Sequence, residues 1–187
     1  MLRFLSKKGP MLSQNAARSL QAYVPSDARE RGFQERMLEL LEREKPFSRE
    51  HFEPGHFTAS AFVLSPEQDA VLLILHKKLQ IWVQPGGHVE ADDISLVAAA
   101  RREIGEELGI LLPAGLDVPI FDIDIHPISA RKTDPAHEHF DVRFRFQSST
   151  LAFVQNEEVA EARWVELRTV ERVTEDESVL RAIRKLR

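Results

Sequence analysis

The chain has 187 residues, 43% of them hydrophobic and 29% charged, and no cysteine. That is enough for one well-cored domain with an appendage, and it excludes disorder, disulfides, Cys-based zinc fingers and thiol catalysis. The 25 basic against 30 acidic residues give a net charge of −5, which argues against an extended nucleic-acid partner. Residues 1–8 are basic but carry no apolar run of signal-peptide length, and nowhere do about 18 apolar residues follow one another, so a cytoplasmic protein without a membrane partner is expected.

Up to about Lys45 the pattern is helical. Ser26-Asp27 is placed to cap a segment in which Phe33, Met37, Leu40 and Leu41 recur at helical spacing. Residues 1–50 therefore read as an N-terminal helical appendage, used either for packing or as a homodimer contact or lid. Pro46 and Pro54-Gly55 punctuate the change to a β-rich domain over residues 51–187. Residues 57–64 and 70–75, separated by the turn-like Ser65-Pro66-Glu67-Gln68-Asp69, predict a hairpin. Residues 81–83 predict a short strand that ends at Gln84-Pro85-Gly86-Gly87. A helix follows from about Ser95 to Leu108, with Val97, Ala100, Ile104 and Leu108 as its apolar stripe and Gly109 as its stop. Further strands are expected over 118–125, 140–146 and 162–165. Thr174 and Glu177 have the spacing of a capping box for a last helix to about Leu186. Strands on both sides of a central helix, with another helix at the end, give an α/β fold with a mixed sheet covered on both faces.

The central helix carries the chemistry. Glu103, Glu106 and Glu107 stand at i, i+3 and i+4, so their carboxylates converge on one side of it. Helix stability gives no reason for three like charges, since a lysine at position 107 would pair favourably with Glu103. A compensating cation is implied, and hard oxygen ligands suit Mg²⁺ or Mn²⁺. Gly86 and Gly87 carry no Cβ and let the backbone approach that site closely.

The segment Pro85-Gly86-Gly87-His88-Val89-Glu90 through Arg102-Glu103-Ile104-Gly105-Glu106-Glu107-Leu108-Gly109-Ile110 resembles the Nudix box, written G-x5-E-x7-R-E-U-x-E-E-x-G-U. Residues 102–110 satisfy every defined position of its second half. The spacing from Gly87 to Arg102 is one residue longer than the pattern, and Asp93 stands where a glutamate is expected. The resemblance covers roughly residues 57–187 and implies an α/β/α sandwich with a metal-holding loop-helix-loop. It implies Glu103, Glu106 and Glu107 as metal ligands with the Gly87 carbonyl, and Arg102 orienting a box glutamate. Glu106 is also the candidate base. The activity it implies is Mg²⁺- or Mn²⁺-dependent hydrolysis of a small-molecule, nucleotide-type diphosphate. Because every one of these ligands lies at or beyond Gly87, the N-terminal helices are expected to be dispensable for chemistry.

Other residues are candidates for holding the substrate. His137 and His139 share a strand face and would line its pocket or, with a third ligand, bind zinc. Trp82 would stack on a base. Arg143, with Lys77, Lys78, Arg131, Lys132 and Arg145, would meet phosphates. Glu157 and Glu158 precede the last strand, where the resembling enzymes often place a loop carboxylate. Three rival functions keep the same fold. A nucleotide-sensing module would bind without hydrolysis, and removal of pyrophosphate from RNA 5′ ends would want a basic track. Isoprenoid diphosphate isomerisation uses a cysteine in the resembling enzymes, and this chain has none.

Overall fold

The computed structural model describes residues 8–77, 80–113, 118–131, 133–157 and 159–187. Lys78, Lys132 and Glu158, named above as candidates, lie outside the described residues. Helix α1 (Lys8–Ala22) and helix α2 (Ala28–Leu41) come first. The Asp27 side chain caps α2 by accepting from the Glu30 N–H at 2.8 Å. A seven-stranded mixed sheet follows, with β1 (Gly55–Leu64), β2 (Ala70–His76), β3 (Trp82–Val83), β4 (Gly86–His88), β5 (Asp122–Ile128), β6 (His137–Gln147) and β7 (Val159–Glu166). Its main path runs β3-β2-β1-β6-β5, with β4 paired to β1 and β7 to β2. The expected hairpin is the antiparallel β1/β2 pair, with Val63 opposite Leu72. The long pairing of β1 with β6 is parallel, His56 lying opposite His139.

Helix α3 (Leu96–Leu108) packs on one face of β1. Ser95 caps its start, and Gly109 ends it in the left-handed region at φ 63°. Phe57, Ala59, Ala61 and Val63 alternate along β1 toward this side and join Ala99, Ala100, Ile104 and Leu108 of α3 in the larger core. Leu12, Ala16 and Leu20 of α1 and Met37 and Leu40 of α2 belong to that same core. The appendage is thus packed into the body of the fold. Phe62 and Leu64 alternate to the opposite face and pack with Val179, Ala182 and Ile183 of α4 (Glu177–Arg184).

Several local expectations shift. Residues 86–88, expected to lie past the end of the short strand over 81–83, form strand β4 against β1. The strand expected over 118–125 lies at 122–128, preceded by Pro119, which has no N–H to give to a ladder. The cap of α4 is Asp176, which accepts from the Val179 N–H, while the Thr174 hydroxyl donates to the Trp82 carbonyl at 2.9 Å. Among the described residues, no helix is long and apolar enough to cross a membrane.

Candidate active site

Strand β4 and helix α3 meet where Gly86 and Gly87 face the helix carboxylates. A Cβ on Gly87 would stand 2.8–2.9 Å from the Glu103 carboxylate, and one on Gly86 would meet the Ser60 Cα at 2.4 Å. Glycine is required at Gly86 by the backbone of β1 and by φ 149°, whereas a Cβ on Gly87 would displace the end of the Glu103 side chain. The Gly86 N–H donates to a Glu107 carboxylate oxygen at 3.0 Å. Glu107 is buried, Glu103 is largely so, and Glu106 is exposed.

Arg102 organises this group. Its guanidinium donates to Glu103 and Glu106 at 3.0 Å each and to the His88 carbonyl at 2.8 Å, and it grips both oxygens of Asp93 at 3.2 and 3.0 Å. Asp93 also accepts from the Glu90 N–H at 2.8 Å, which closes the turn that enters α3. The one-residue-longer loop is accommodated there, with the shorter aspartate reaching the arginine. The Asp93 contact, then the Glu103 charge, hold the Arg102 guanidinium more firmly protonated than usual, against the opposing effect of burial. Burial pushes the Glu103 carboxyl up, and Arg102 opposes that rise.

The donor set fits a hard divalent cation. Glu103, Glu106 and Asp93 share the Arg102 guanidinium, Glu107 takes the Gly86 N–H, and the absence of a Cβ on Gly87 leaves room for the Glu103 carboxylate. The loop after β6 closes beside them: the Asn156 N–H donates to the Glu107 carbonyl, and the Glu157 carbonyl accepts from Lys77 at 2.8 Å.

The substrate candidates fare differently. Arg143, expected at the phosphates, is 2% exposed and bound to Asp141 at 2.8 Å, Asp122 at 3.2 Å and the Ser178 hydroxyl at 2.7 Å. It is an interior countercharge, because its fork is already filled by three aspartates and a serine. One face of Trp82 is covered by the Arg163 guanidinium, 4.2 Å from the ring centroid. His137 and His139 are brought together with His56 and His88, two residues that no local spacing in the sequence linked to them. The signal that could have found them is the pairing of β1 with both β4 and β6.

A mixed sheet with a glycine strand beside helix glutamates gathered under one arginine is the arrangement that the Nudix-box resemblance implies. The family model described as the NUDIX domain matches residues 54–185, and the chain belongs to that family as a Nudix-type pyrophosphohydrolase. No curated protein sequence matches the chain. Among solved structures it is similar to the MutT protein of Methanosarcina mazei Go1, at 19% identity and TM-score 0.56, over 70% of this chain and 91% of that one. It is similar to a C. elegans Ap4A hydrolase in a binary complex, at 17% identity and TM-score 0.52, over 69% and 93%. The NUDIX domain of Shewanella oneidensis NrtR complexed with ADP ribose aligns at 20% identity and TM-score 0.52, over 69% and 84%.

Proposed function

We propose that the protein hydrolyses a phosphoanhydride in a nucleoside diphosphate linked to another group, with Mg²⁺ or Mn²⁺ as cofactor and water as the attacking group. Glu103, Glu106, Glu107 and the Gly87 carbonyl would hold the cation. When bound, it supplies Lewis-acid polarisation of the diphosphate and a lowered pKa for bound water. The remaining work belongs to the chain. Arg102 fixes the rotamers of Glu103 and Glu106, while Asp93 and the His88 carbonyl fix Arg102. Glu106, the exposed member, takes the proton of the attacking water. Glu107 is held by the Gly86 N–H and ties the glycine strand to the helix.

The observation that carries this reading is the shortage of positive charge at the helix: Asp93, Glu103 and Glu106 share the single guanidinium of Arg102. ADP ribose, named with the Shewanella domain, is itself a nucleoside diphosphate joined to a sugar and supports this substrate class. The test is a panel of nucleoside triphosphates, sugar nucleotides, dinucleoside polyphosphates and dinucleotide cofactors, run with Mg²⁺ and with Mn²⁺ in ¹⁸O-labelled water. Metal-dependent release of a phosphomonoester carrying one ¹⁸O is expected. Binding of a nucleotide without its consumption would point to a sensor instead and overturn the proposal.

A further inference from the structure

Six of the seven histidines of this chain gather at the end of the sheet where β1 and β6 begin. Strand pairing sets this up. His139 on β6 lies opposite His56 on β1 and opposite His126 on β5, and His88 lies on β4, which pairs with the same stretch of β1. His137 is two residues from His139 and on its face. The ring centroids of His56, His88 and His139 are 4.9–5.3 Å apart in pairs.

A half-buried sheet surface normally carries apolar or well-bonded side chains, and His56 is neither. It is 1% exposed, and its Nε2 is buried without a hydrogen-bond partner among the described residues. Its Nδ1 lies 3.2 Å from the His51 carbonyl. A carbonyl only accepts, so Nδ1 carries the proton and Nε2 presents a bare lone pair to the cluster. A buried acceptor of this kind destabilises the fold unless something satisfies it. The arrangement is that of a metal-ligating histidine, whose second nitrogen donates to a backbone carbonyl that fixes its tautomer.

We propose that His56, His88 and His139 form a binding site for a borderline transition-metal ion, Zn²⁺ in the first instance, separate from the carboxylates of α3. One ligand nitrogen from each residue lies within 4.8 Å of the other two, and bonds of about 2.0–2.1 Å draw them closer around one ion. Imidazole favours Zn²⁺ and Co²⁺ over Mg²⁺, as the carboxylates of α3 favour the reverse. Three protein ligands leave a fourth position for water. Burial disfavours the charged form of the His56 and His139 rings, which leaves them neutral as ligation requires. These three imidazole rings play no part in the hydrolytic reading, which uses only the backbone carbonyl of His88, so the site stands without it.

The test uses the untagged full chain, stripped with chelator and held in millimolar Mg²⁺ so that hard-ligand sites are filled. One equivalent of Co²⁺ is expected to give the visible bands of low-coordinate cobalt, displaced by Zn²⁺. His88→Asn and His139→Asn should each weaken Zn²⁺ binding by about 100-fold, whereas Glu106→Gln should leave it unchanged. Imidazole ¹⁵N spectra of the wild-type chain provide a readout that needs no variant: Zn²⁺ should shift one ring nitrogen in each of His56, His88 and His139. Failure of the chain to bind Co²⁺ or Zn²⁺ in Mg²⁺, or a bound ion lost in Glu106→Gln and kept in both histidine variants, would overturn the proposal. Shifts confined to other histidines would do the same.

Discussion

Two regions of the molecule combine carboxylates with arginines, and they balance charge differently. Around β5 and β6, four acids (Glu30, Asp122, Asp124 and Asp141) meet three cations, Arg143, Arg181 and Lys185. Hydroxyl and amide groups complete the set: Thr58 and Ser60 donate to Asp141 at 3.0 and 2.7 Å, Gln84 at 3.2 Å, and Tyr23 to Glu30 at 2.6 Å. Burial raises the Glu30 carboxyl, but hydrogen bonds from Lys185, the Ser26 N–H and Tyr23 outweigh it and bring the pKa down to about 2. This network is buried, and it joins α2 to α4 across β5. At α3, one arginine serves three acids, Glu106 faces solvent, and burial pushes Glu103 toward its neutral form. A buried network is costly to break at one partner, whereas a group open to solvent is free to be stabilised by a ligand.

That contrast is broken most directly at Glu106. Glu106→Gln keeps size and removes charge, and turnover should fall by about 10²–10⁴, the usual contribution of a positioned acid-base group. Folding should be almost unaffected. The sequence alone suggests a gain in stability from relieved repulsion, but Glu106 is paired with Arg102 at 3.0 Å, and an exposed pair of that kind is worth roughly 0–1 kcal/mol. Near-normal turnover in this variant would remove Glu106 from both metal binding and proton transfer. The complementary substitution is Arg143→Met in the buried network. It leaves Asp122, Asp124 and Asp141 short of their buried countercharge and should cost about 3–5 kcal/mol in denaturant unfolding, while the folded fraction keeps its metal dependence. A loss of turnover at unchanged stability would return Arg143 to the substrate site and erase the distinction between the two regions.

What was legible in the sequence follows the range of the interactions involved. The α3 helix, its Ser95 cap and its Gly109 stop depend on residues within about two turns of one another, so spacing displayed them. The β1/β2 hairpin is local in the same way. The ligands of Arg143 are a partly different case. Asp141 lies two residues away, but Asp122 and Ser178 arrive through strand pairing and the docking of α4. A basic residue on a strand looks the same in sequence whether it meets phosphate or aspartate. His137-x-His139 displayed one strand face, and its companions His56 and His88 became neighbours only through the parallel β1/β6 and antiparallel β1/β4 pairings. The N-terminal helices show hydrophobic periodicity in sequence, but that they share a core with α3 is a tertiary fact.

The smallest expected effect sharpens the comparison at the hinge between the box loop and the helix. Asp93 replaces a glutamate of the family pattern after one extra residue of loop, and it is the only acid that meets Arg102 through both oxygens among the described contacts. Asp93→Asn keeps the acceptor for the Glu90 N–H but turns an amide donor toward the guanidinium, so one of the two parallel bonds is lost. Arg102 still has Glu103, Glu106 and the His88 carbonyl, and the helix cap at Ser95 is untouched. The expected result is about a tenfold rise in the Mg²⁺ concentration giving half-maximal rate, at the lower end of what outer-shell groups contribute to metal affinity. The maximal rate at saturating Mg²⁺ should change less. If Asp93 were only a turn former, Asn would serve as well, since it is equally suited to such turns, and the Mg²⁺ titration of the variant would overlay the wild type.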